Sequence, residues 1–70
     1  MTPNEKPLQP HQQRVVDERH ELMFKLDKLR AFIRGGIFKN LDLDEQERLI
    51  RQEKIMDQYD TVLKERITAF

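Results

Sequence analysis

The sequence predicts an all-α fold: an antiparallel two-helix hairpin (αα-hairpin) that assembles with further copies of itself into a helical-bundle homo-oligomer. Three observations carry this expectation. Apolar residues recur at spacings of three, four and seven in two long stretches, a diglycine and a short connector separate the stretches, and strand-type alternation occurs nowhere in the 70 residues. The apolar positions are also too widely spread around each helix for a single helical neighbour to cover.

The elements follow in chain order. Residues 1–9 carry Pro3 and Pro7 among polar residues and read as a flexible N-terminal arm, because such a segment buries too little to offset its ordering entropy. The helical hairpin domain then covers residues 10–70. Pro10 suits the first turn of a helix, where its missing N–H has no partner to lose. Val15, Leu22, Leu26, Leu29 and Ile33 fall on one stripe, which predicts a first helix over 10–34. Gly35-Gly36 ends it, with the expectation that a glycine adopts the left-handed cap conformation. The connector spans 35–42, and its Phe38 and Leu41 plug the end of the hairpin. Asp42 reads as an N-cap, with Glu45 at the spacing of a capping box. The second helix is predicted over 43–68, with Leu49, Met56, Leu63 and Phe70 at intervals of seven, joined by Ile55, Tyr59, Val62 and Ile67.

Composition removes several classes of function. Cysteine is absent, so disulfide scaffolds, thiolate metal sites and cysteine nucleophiles are excluded. No stretch approaches the ~18 uninterrupted apolar residues of a membrane span, and the N-terminal residues have no apolar core of a secretory signal. Thirteen basic and thirteen acidic residues cancel, unlike the strong positive charge of a general polyanion binder. The balance hides a polarity. Residues 10–40 hold seven basic against four acidic residues, and residues 41–70 hold five against eight, so the halves carry +3 and −3. Folding them together, or pairing two copies, brings opposite fields into contact.

The informative polar residues lie beside the stripes. Arg19, Arg30 and Arg34 share a flank of the first helix with Met23. Arg48, Gln52, Tyr59 and Arg66 share a flank of the second with Ile55 and Val62. A guanidinium offers a planar fork to phosphate or carboxylate, and a tyrosine offers a face on which a base stacks. Gathered at a subunit interface, these groups would form a pocket for a small anionic ligand. The alternative is that the arginines pair with Glu18, Glu21, Glu53 and Asp60 while Tyr59 is half-buried core. His11 and His20 are nine residues apart, off the spacing that puts two ligands on one helix face, so no metal site is expected. The diglycine follows no strand and precedes no Gly-Lys-Ser/Thr, so it is not a phosphate loop. No nucleophile–base pairing occurs at a recognisable spacing, and neither an enzyme nor a cofactor is expected. Phe32, Phe38 and Phe70 read as packing residues at the two ends of the hairpin.

Three runs form a pattern: His11-Gln12-Gln13-Arg14-Val15-Val16-Asp17-Glu18, then Ala31-Phe32-Ile33 with Phe38 and Leu41, then Glu47-Arg48-Leu49 through Arg51-Gln52, Met56, Tyr59, Val62-Leu63 and Glu65-Arg66-Ile67 to Phe70. Over roughly residues 11–70 the pattern resembles a family of small phage and prophage helical proteins named for a crAss-like phage member. The resemblance implies an accessory protein of the bacterial cytoplasm, acting in counter-defence or host takeover, and it carries no catalytic motif. Two modes of action fit the chain. In one, an oligomer sequesters a small nucleotide immune signal, cyclic or derived from ADP-ribose, with Arg48, Arg66 and Arg19 on phosphates and Tyr59 on the base. In the other, an apolar helical face occludes a host defence protein. Nucleic-acid binding through the basic first helix is the weakest reading, since the second helix is acidic and no aromatic residues interleave the basic ones.

Overall fold

The computed structural model describes residues 7–70; the greater part of the predicted N-terminal arm, residues 1–6, lies outside the described residues. Helix α1 spans Pro10–Arg34 and helix α2 spans Leu43–Thr68, with a single 3-10 turn at Phe38–Asn40 between them. Strands are absent among the described residues. The two helices pack side by side as a helical hairpin about 53 Å long.

Local chemistry accounts for each helix end. Pro10 is the first residue of α1, and just ahead of it the Gln9 N–H donates to Gln12 Oε1 at 2.8 Å, so one of the unpaired donors of the first turn is satisfied. Asp42 caps α2: its Oδ1 accepts from the N–H of Asp44 at 2.7 Å and of Glu45 at 3.3 Å. The capping box expected of Glu45 is not closed. Its carboxylate instead accepts from Arg48 Nε at 2.8 Å, one turn further on. Asp44 and Glu45 still place negative charge in the first turn, where the helix dipole favours it.

The glycine expectation is corrected. No glycine among the described residues has a positive φ. Gly35 lies at φ −84°, ψ 173°, with its N–H donating to Phe32 O at 3.0 Å. The helix stops because the chain turns extended here and then enters the 3-10 turn, where the Leu41 N–H reaches Phe38 O at 3.2 Å. Gln46 fastens this connector to α2 by donating to the carbonyls of Leu41 and Lys39 at 2.9 and 3.3 Å.

The interior is thin. Among the described residues Val15, Leu22, Leu26 and Leu63 are the buried apolar ones, and Met56 and Ile67 pack against the cluster of Val15, Leu22 and Leu63. Leu29, Ile33 and Leu49 are half-buried, so the predicted stripes do face the interior, with less cover towards the connector. Phe32 and Phe70 are exposed and contribute little to it. Polar pairs continue the seam where apolar residues stop. Arg19 Nε donates to Asp60 Oδ1 at 3.0 Å, while Arg30 forks, Nε to Glu53 at 2.9 Å and Nη2 to Asp57 at 2.8 Å. Neither helix is long and apolar enough to cross a membrane.

Candidate functional site

Helix α2 carries two apolar seams rather than one broad stripe. Leu49, Glu53, Met56, Asp60, Leu63 and Ile67 alternate at intervals of four and three and face α1. Arg48, Gln52, Ile55, Tyr59, Val62 and Arg66 repeat the same intervals one residue earlier. An offset of one residue turns the second seam by about 100° around the helix. That rotation carries it out of the hairpin interior. Ile55, Tyr59 and Val62, its apolar middle, are 57%, 42% and 51% exposed. Intervals of four and three are also those of a coiled-coil contact line.

Polar residues end the row on both sides. Arg48 is held by Glu45 and stays charged, its pKa raised first by that hydrogen bond. Gln52 lies one turn from Met56, its Nε2 3.7 Å from the thioether sulfur. Arg66 is exposed and makes no ion pair among the described residues. Every one of these side chains sits on the same helical flank, as its spacing predicts.

Along the axis the picture differs. Arg48 and Arg66 are 18 residues apart on one continuous helix, about 27 Å at 1.5 Å per residue. A small ligand cannot be gripped by both within one copy. Tyr59 lies between them, about 10 Å from the Arg66 level. Arg19 is placed elsewhere. It sits on the α1 seam, half-buried, with Nε engaged by Asp60, whose side chain is 13% exposed. The structure therefore separates the expected ligand residues into an outward row on α2 and an inward pair between the helices.

Arg30 lies on the same flank of α1 as Arg19 and likewise pairs with α2. Its pKa is raised first by the hydrogen bond it donates to Glu53 and then by that to Asp57, so it remains a fixed positive tie between the helices. His11 and His20 are both exposed, and no group of three or more metal-ligating side chains is clustered among the described residues. Sequence reasoning overlooked Arg51, Gln58 and Glu65. They are exposed beside the outward row at intervals of seven, and that regular spacing was the available signal.

The model of one protein family, described as Sequestin, matches residues 9–69, which takes in both helices and the connector. No curated protein and no solved structure matches the chain.

Proposed function

The chain belongs to the Sequestin family, and from that premise we propose that it acts by sequestration, holding a small anionic nucleotide signal without altering it, as a phage-type counter-defence protein of the bacterial cytoplasm. The family name speaks for a binding rather than a catalytic role. The observation that carries the ligand class is the outward row of α2, in which guanidinium, carboxamide and phenol groups share an exposed apolar flank. Arg48 and Arg66 supply forks for phosphate, Gln52 a hydrogen-bonding amide, and Tyr59 a stacking face. Arg19, paired with Asp60, helps this site by fixing α2 rather than by touching the ligand. The hairpin is antiparallel in this reading, supported by ion-pair partners whose numbers fall on α2 as they rise on α1. Homo-oligomerisation is supported by the exposed apolar middle of the row.

Native mass spectrometry of the protein mixed with ADP-ribose or cyclic di-AMP tests this reading. Retention of either molecule is expected, with the ligand recovered unchanged after denaturation. Arg66→Ala and Tyr59→Ala should each lower affinity at least tenfold, the scale of one charge-assisted hydrogen bond or one stacked base, while helicity by circular dichroism stays as in the parent. Variants that bind as the parent does, or a ligand recovered cleaved, would overturn it.

A second reading has one observation in its favour. Ile37 and Leu43, at the connector end, are the most exposed large aliphatic residues of the described chain, and an apolar tip of this kind suits occlusion of a host defence protein. Failure to retain any nucleotide, together with a stoichiometric protein complex that Leu43→Asp abolishes, would favour it.

A further inference from the structure

From the outward row we infer that two copies of this chain pair antiparallel through α2 and that each ligand site is shared, Arg48 and Gln52 coming from one copy and Arg66 from the other. The inference rests on the sequestering reading for its ligand and on the geometry of α2 for its pairing.

The row is self-complementary only in the antiparallel sense. Arg48, Gln52, Ile55, Tyr59, Val62 and Arg66 are distributed symmetrically about position 57. A two-fold axis at that level sets Ile55 against the partner's Tyr59, Gln52 against the partner's Val62, and Arg48 against the partner's Arg66. The apolar residues meet in the middle and the arginines at both ends. Flanking charges select the same arrangement. On one side of the row the neighbouring positions Leu49, Met56 and Leu63 are already packed towards α1. On the open side lie Arg51, Gln58 and Glu65. Antiparallel pairing brings Arg51 beside the partner's Glu65 twice and Gln58 beside its own copy at the axis. Arg51 and Glu65 make no ion pair among the described residues, which leaves both to a second copy.

The same pairing removes the obstacle of the 27 Å separation. Arg48 and Arg66 are too far apart within a copy to share a ligand, yet they meet between copies at both ends of the row. Glu45 holds Arg48, with Asp42 and Glu47 also acting on it, and pairing adds the partner's Arg66 as a second fork at each end. Two forks from different copies converging on one place suit a phosphate set between them. The partner's Tyr59 lies two layers inward, about 10 Å along the axis from the partner's Arg66, a span that suits phosphate at the end of the row and base towards its middle. Binding and dimerisation are then linked, because the ligand bridges residues of both copies.

Two measurements test this separately from the ligand reading. In sedimentation equilibrium, Arg51→Glu and Glu65→Arg should each weaken dimerisation on the order of tenfold, and the chain carrying both substitutions should regain it. Failure of the double variant to recover, or single variants that dimerise as the parent does, would overturn the pairing. For the shared site, Arg48→Ala and Arg66→Ala copies, each deficient in ADP-ribose or cyclic di-AMP binding alone, should regain binding when mixed, with one site in each mixed dimer, because one end of the mixed dimer has both arginines. A mixture that stays deficient would overturn the shared site. A parent protein that binds neither probe refutes the sequestering reading and the shared site with it, and the charge swap still decides the pairing.

Discussion

Asp60 is the residue on which the arrangement of α2 turns. It occupies a position of the inward seam, between Met56 and Leu63, where an apolar side chain would be expected, and it lies there because Arg19 meets it at 3.0 Å. Partly buried ion pairs are weak sources of stability, since desolvation offsets much of the attraction. Their use is selection among alternatives. Helix α2 has two apolar seams one residue apart, and rotation by about 100° would exchange them. An inward Asp60 paired with Arg19 favours one setting and leaves Tyr59 outside. Removing only the acid should therefore cost stability, while removing both charges should not. Asp60→Ala is expected to destabilise the hairpin by about 1–3 kcal/mol, and Arg19→Met with Asp60→Leu to restore the parent's stability or exceed it. Urea unfolding followed by circular dichroism reads both. The Tyr59 fluorescence should become more shielded in the double variant if the second setting is then populated, and an unchanged signal would show that the pair does not select the rotation.

At the scale of elements, the instructive case is the end of α1. Two adjacent glycines after a helical stripe suggest a left-handed cap, yet both have negative φ. The helix ends with an extended residue and a 3-10 turn, a route open to any L-residue. Gly36 has no atom within 4 Å of the place where a Cβ would stand. Alanine there meets neither strain nor a clash and restricts the unfolded chain, so Gly36→Ala should stabilise by about 0.4–1 kcal/mol, seen as a higher urea midpoint at unchanged slope. A loss of stability of similar size would restore the left-handed cap. Two helices were legible in the spacing of Val15, Leu22 and Leu26 and of Met56 and Leu63, because burial follows helical period directly. The cap at Asp42 was legible for the same local reason. What Glu45 does was not, since its carboxylate chooses between the backbone and Arg48 within one turn and the pattern of residue types is the same for both. The flank shared by Arg48, Gln52, Tyr59 and Arg66 was readable, whereas their distance along the axis was overlooked, and Arg19 turns inward to Asp60, the partner that the alternative reading of the sequence offered, because residue types alone do not decide between an ion pair and a ligand contact.

For the whole molecule the deciding quantity is how little the hairpin encloses. Among the described residues only Leu26 and Leu63 are fully buried, and a chain of 70 residues without a cysteine lies near the lower limit of what one core can hold. Large apolar side chains remain outside, Ile55, Tyr59 and Val62 on the outward row and Phe24 on α1, where Lys28 Nζ lies 4.4 Å from the ring centre. If pairing of copies completes the core, folding and association are one equilibrium, and stability must depend on protein concentration. Tenfold dilution then costs about 1.4 kcal/mol per mole of dimer, which for a dimer of this size corresponds to a fall in Tm of about 5 °C. Thermal melts by circular dichroism from micromolar to hundred-micromolar protein measure it. Arg51→Glu should melt lower than the parent at every concentration, since it weakens association without touching an interaction within the hairpin. A Tm independent of concentration would mean that the four buried apolar residues suffice, and the outward row would then be a surface kept for a partner other than a second copy.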